Sequence, residues 1–144
     1  MCIKQLAVFM ENREGRLDNV IKTLHENQVD IISFSLADTT EYGMLRMVVS
    51  DPEKARLVLK ENGFSSMLTD VLAVKMSDYF RDLNKLLEAV SGAGLNIEYM
   101  YVLSTVKGGS AIITKFSDAQ KALQILDSNN ITVYTFEEIM NLGK

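Results

Sequence analysis

Leu6-Ala7-Val8 recurs 66 positions later as Leu72-Ala73-Val74. The same shift carries Leu17, Val20, Ile21 and Leu24 onto Leu83, Leu86, Leu87 and Val90. It also carries Val29-Asp30-Ile31 onto Leu95-Asn96-Ile97, and Gly43 onto Gly109. One inserted residue then makes the shift 67, so that Ser50-Asp51 returns as Ser117-Asp118, and Ala55, Leu59 and Asn62 as Ala122, Leu126 and Asn129. One shift relating so many apolar positions marks two copies of a single unit. The copies meet near Thr69-Asp70 with no flexible linker, which sets domains at 1–69 and 70–144.

Each copy reads strand, helix, strand, strand, helix, strand. In the first, Ile3 to Met10 is a β-rich run, followed by Leu17, Val20, Ile21 and Leu24 at helical spacing. Ile31 to Ala37 and Met44 to Val49 read as strands around the turn-like Asp38-Thr39-Thr40-Glu41-Tyr42-Gly43. Ser50-Asp51-Pro52-Glu53 has the spacing of a capping box with Ser50 as the cap, and Pro52 suits a first helical turn that needs no donor. Ala55, Val58 and Leu59 face inward, Asn62-Gly63 ends that helix, and Phe64 to Leu68 is a short fourth strand.

The second copy repeats these signals: a strand Val71 to Met76, a helix closed by Gly92 and Gly94, strands Ile97 to Leu103 and Ala111 to Phe116 around Gly108-Gly109. Ser117-Asp118-Ala119-Gln120 is a second capping box, Ile131 to Thr135 closes the sheet, and Phe136 to Leu142 adds a short helix. Tyr99 and Tyr101 are placed on one sheet face with Ile97 by simple alternation. The order βαββαβ predicts an α+β fold, two tandem ferredoxin-like units with antiparallel sheets and both helices on one face. A unit of about 70 residues buries a small core and leaves a sheet face open, so a homodimer is expected.

Composition removes several function classes. The net charge is -4 and the pI about 5.0, so the overall field repels nucleic acid and anionic membrane. No apolar run approaches the ~18 residues of a membrane span, and the start Met1-Cys2-Ile3-Lys4-Gln5 has no signal-peptide pattern. A single cysteine, Cys2, agrees with a reducing, cytoplasmic setting. One Cys and one His, at His25, cannot make a zinc site of the usual kind. No catalytic residue, metal ligand set or cofactor is assigned. The adjacent Glu137 and Glu138 diverge on a helix and do not form a proton-sharing pair.

Glu11-Asn12-Arg13-Glu14-Gly15-Arg16-Leu17, at the first strand-to-helix junction, carries the most chemistry. Gly15 lets the backbone approach a ligand. The amides of Gly15, Arg16 and Leu17 open the helix and lack intrahelical acceptors, and the helix dipole adds positive charge, so a carboxylate is a natural guest. Asn12 offers a donor and an acceptor, matching the two ends of an α-amino acid. The alternative is a plain turn whose donors bind water.

The stretch Val8-Phe9-Met10-Glu11-Asn12-Arg13-Glu14-Gly15-Arg16-Leu17 resembles the first strand and loop of the ACT family, with Asn-x-x-Gly-x-Leu intact. Asn27-Gln28-Val29-Asp30-Ile31-Ile32 and Gly92-Ala93-Gly94-Leu95-Asn96-Ile97-Glu98 resemble its junction between first helix and second strand. The resemblance covers nearly the whole chain, in two copies, and is similar to that of small stand-alone tandem-ACT proteins. It implies a non-catalytic regulatory protein that senses a small molecule, typically an amino acid, where two such domains meet. The implied site is Asn12, Arg13, Glu14, Gly15, Arg16 and Leu17 facing Asn96 and Ile97; a possible second site joins Ser77, Asp78 and Arg81 with Asp30 and Ile31. This sequence has Glu14 where the family often has proline, and the second loop, Met76 to Leu83, has Arg81 in place of the glycine. One site on the first loop is therefore expected. The competing functions are a constitutive dimerisation module with a vestigial pocket, and an enzyme on the same scaffold, the latter disfavoured by the scarcity of His and Cys.

Overall fold

Strand β1 (Ile3–Glu11), helix α1 (Arg16–Glu26), strands β2 (Ile31–Asp38) and β3 (Tyr42–Val49), helix α2 (Pro52–Glu61) and strand β4 (Ser65–Lys75) follow one another along the first part of the chain. Helix α3 (Tyr79–Gly92), strands β5 (Ile97–Ser104) and β6 (Ser110–Phe116), helix α4 (Ala119–Ser128), strand β7 (Val133–Tyr134) and helix α5 (Phe136–Asn141) complete it. This computed structural model describes residues 2–11, 14–38, 42–105 and 109–142. The chain divides into two units, Lys4–Thr69 and Asp70–Lys144 with Met1–Ile3.

In the Lys4–Thr69 unit the strands lie in the order β2-β3-β1-β4. β1 pairs antiparallel with β3, Val8 opposite Leu45, and β3 pairs antiparallel with β2. Gln5, fully buried, donates from Nε2 to Thr69 Oγ1 at 2.9 Å and so keeps its amide satisfied beside β4. Leu6, Val8 and Met10 of β1 and Leu45, Met47 and Val49 of β3 meet Val20 and Leu24 of α1 and Ala55 and Leu59 of α2 in one core. Burial of each large side chain stabilises by about 1.5–3 kcal/mol.

The Asp70–Lys144 unit repeats the plan, with β5 paired to β6, β6 to β4 and β4 to β7, all antiparallel. Leu72, Val74, Leu86, Val90, Phe116, Ala122 and Leu126 form its core, against which Cys2 packs. The chain is thus α+β, two tandem ferredoxin-like βαββαβ units. Four helices end alike. A left-handed residue, Gln28, Gly63, Gly94 or Asn130, is followed by an amide that bonds back to Leu24, Leu59, Val90 or Leu126 respectively.

Three local expectations are corrected. The strands predicted at Phe64 to Leu68 and Val71 to Met76 are one strand, β4, because neither Thr69 nor Asp70 breaks an extended backbone. The caps shift by one residue. Asp51 and Asp118, not Ser50 and Ser117, accept from the third helical amide, Lys54 N at 3.2 Å and Lys121 N at 3.1 Å. The capping box is instead at α5, where Thr135 and Glu138 exchange bonds of 3.1 and 2.9 Å, which gives Glu138 a structural role. Finally, the pairing register slips between Ile97 and Tyr99, as it does between Ile31 and Ser33. The bulge puts Ile97 against the core and pairs Tyr99 with Lys115, so Ile97 and the tyrosines do not share a face.

Candidate ligand-binding site

β1 delivers the chain to Glu14 and Gly15, and α1 begins at Arg16. Gly15 is the N-cap residue, with φ 78° and ψ -6°, in the left-handed region that glycine adopts cheaply. A Cβ there would meet nothing within 4 Å, so the backbone angle, not crowding, calls for glycine. The first helical bond runs from Asn19 N to Gly15 O at 3.0 Å. Among the described residues, no acceptor serves the amides of Gly15, Arg16 and Leu17. Glu14 is exposed, and Leu17 partly so. Asn12 and Arg13 lie outside the described residues. The Arg16 side chain turns away from the loop: its guanidinium carbon stands 4.5 Å from the Phe64 ring centroid, and its buried Nε has no hydrogen-bond partner.

The second loop differs. α3 starts at Tyr79, so it is 14 residues long against 11 in α1, and Tyr79 to Leu83, read from the sequence as loop, are helical. Asp78 caps it, its Oδ1 accepting from Arg81 N at 3.2 Å. The Asp82 carboxylate accepts from the amides of Ser77 at 2.7 Å and Asp78 at 2.9 Å. The Asp78 amide, then that of Ser77, holds the Asp82 carboxyl below its ordinary value; burial opposes this, and Arg81 adds a smaller push downward. The backbone donors at this loop are thus filled by the chain's own carboxylate. Arg81 is solvated, its Nε 3.5 Å from Asp82 Oδ1. A groove of about 210 Å³ lies here, with Lys75, Arg81 and Lys85 around Asp82. The sequence reading missed Asp82; its signal is the pair Asp78 and Asp82, one turn apart at a helix start.

At the junctions, Asp30 N donates to Ser50 Oγ at 2.9 Å and Ser50 N to Asp30 O at 2.9 Å. Ser117 N likewise donates to Asn96 O at 3.0 Å. The side chains of Asp30 and Asn96 are exposed, and Ile31 and Ile97 are half-buried against their cores. Within each unit, loop and junction stand at opposite ends of a helix. At 1.5 Å per residue that is about 16 Å for α1 and about 21 Å for α3. Neither unit brings its loop to its own junction. Among the described residues no cluster of three His, Cys, Asp or Glu could hold a metal, and no helix is long and apolar enough to cross a membrane.

The doubled βαββαβ plan, with a glycine-opened loop after the first strand, defines a tandem α+β protein of ferredoxin-like type. The chain belongs to the ACT domain pair family, whose model matches residues 1–142. It is similar to the protein BT0572 from Bacteroides thetaiotaomicron, at 30% identity over 99% of this chain and 98% of that one, with a TM-score of 0.91. The fold is shared with the regulatory subunits of aspartate kinase from Thermus flavus and Thermus thermophilus. The first is 19% identical over 88% of this chain and 90% of that one, with a TM-score of 0.62. The second is 15% identical over 88% and 91%, with a TM-score of 0.60. No curated protein matches the chain.

Proposed function

We propose that this chain is a non-catalytic regulatory protein that senses a free amino acid through the loop at Gly15. The observation that carries the reading is the asymmetry of the two loops. At the first, no described residue accepts from the amides of Gly15, Arg16 and Leu17 at the helix N-terminus. At the second, Asp82 already takes the amides of Ser77 and Asp78. The residue equivalent to Asp82 in the first copy is Arg16, which cannot act as an internal acceptor and lies on Phe64. A ligand carboxylate is the group that the first loop lacks and the second supplies for itself. Asn12, Arg13, Glu14, Asn96 and Ile97 join this reading through the family resemblance. The fold-level likeness to aspartate kinase regulatory subunits supports the regulatory class.

The test is a thermal-shift screen of the twenty amino acids followed by calorimetry. A ligand that binds only the folded chain raises its stability, by about 2.7 kcal/mol at a hundredfold excess over Kd. The reading expects binding that Gly15→Val abolishes, Asn12→Ala and Asn96→Ala weaken, and Arg81→Ala leaves intact. The reverse pattern moves the site to the second copy.

A second reading, a constitutive assembly module, is favoured by one observation: Phe34 is 63% exposed on β2, the edge strand of its sheet, and Val102 is 50% exposed on β5. It predicts a homodimer by light scattering whether or not any amino acid is present, and no binding at millimolar concentration.

A further inference from the structure

We propose that the groove between α2 and the start of β4, in the Lys4–Thr69 unit, binds a small dianion with a phosphoryl head: inorganic phosphate or a phosphate monoester. The groove has a volume of about 280 Å³ and is lined by Arg56, Lys60, Phe64, Ser65 and Ser66. Arg56 and Lys60 are one helical turn apart on α2, so two cations share a face and repel unless an anion lies between them. Lys60 is in the last turn of α2, and Arg56 has only an exposed contact of 3.4 Å with Glu53. No carboxylate lines the groove.

Phe64 is the groove's aromatic wall, and the exposed Ser65 adds a hydroxyl beside the two cations. A phosphoryl group has enough acceptor oxygens for a guanidinium, an ammonium and a hydroxyl together, and its two charges match the cation pair; a carboxylate would match one.

The second copy supplies an internal control. Its equivalent groove is lined by Leu123, Asp127, Asn130, Ile131, Thr132 and Val133. At the shift of 67, Arg56 has become Leu123, Lys60 Asp127, and Ser66 Val133. The same βαββαβ unit therefore folds without these charges, and their presence in the first copy is not a demand of the fold.

The test is calorimetry and thermal shift of the full chain with inorganic phosphate and with glycerol phosphate, against acetate and sodium chloride at matched ionic strength. Phosphate or its monoester should bind once per chain and raise the melting temperature. Arg56→Ala and Lys60→Ala should each weaken binding at least fivefold, and the double variant should abolish it. A monoester binding tighter than phosphate names a phosphorylated small molecule as the occupant; the reverse order names the free ion. Equal shifts with sodium chloride or acetate, or unchanged binding in the double variant, overturn the proposal. Gly15→Val should bind phosphate normally, which separates this outcome from that of the amino-acid reading.

Discussion

The carboxylate of Asp82 stands 2.7 Å from the amide of Ser77, five residues before it in the chain, and closes the start of α3 from within. Because these bonds form to the ionised group, its folded pKa is depressed. The stability it contributes is therefore complete above the ordinary aspartate value, about 3.9, and is lost as pH falls through the lower folded value. Asp82→Asn should lower the melting temperature at neutral pH, and the gap to the parent should narrow under acid. Thermal melts of both proteins between neutral pH and pH 3 check this; a gap that stays constant down the series rules it out.

Gly15 makes a different prediction, because a side chain there meets no neighbour. Only its φ of 78° opposes substitution. Gly15→Ala should cost about 1 kcal/mol, and Gly15→Val about 1–3 kcal/mol for a β-branched residue held in the left-handed region. Chemical denaturation measures both. The alanine variant should keep part of any ligand affinity and the valine variant none, since the branched side chain fills the space before the amides.

The capping residues can be separated by single variants. Asp51→Ala and Asp118→Ala should each destabilise by about 1 kcal/mol. Ser50→Ala removes the acceptor of Asp30 N and should cost about 0.5–1.5 kcal/mol, through the junction and not the helix. Urea midpoints decide; an Asp51→Ala variant as stable as the parent would return the cap to Ser50.

Gly109 is restricted by contact. A Cβ there would lie 2.7 Å from Leu142 Cδ2, just past the end of α5. Gly109→Ala should destabilise by about 1 kcal/mol, the low end for overpacking because the obstacle is the tip of a flexible side chain. Adding Leu142→Ala should recover part of that loss, and a double-variant cycle reads the coupling.

Much of this architecture was legible because apolar spacing is set by the geometry of the elements. Leu17, Val20, Ile21 and Leu24 trace a helix face, and the repeat doubled each such signal. What escaped depended on choices between near-equal neighbours. Ser50 and Asp51 can both cap a helix, and the fold uses Ser50 to hold Asp30 instead. Thr69-Asp70 looks like a break between two strands but is tolerated inside one extended strand. The candidate site divides in the same way. The glycine loop is a local pattern and could be read directly, whereas the Asp82 closure and the Arg16–Phe64 stack join residues whose side-chain directions no spacing rule supplies. Phe64 is 48 positions from Arg16, and only the packed unit brings them together.

Cys2 and Ile3 belong with Asp70–Lys144, and Cys2 packs against that unit's core. During synthesis these residues leave the ribosome ahead of everything they pack against. Cys2 and Ile3 must therefore stay unpartnered by that unit until β4 and the helices after it have been made. Severing the chain between Ile3 and Lys4 would therefore disturb the unit that is distant in sequence more than the adjacent one.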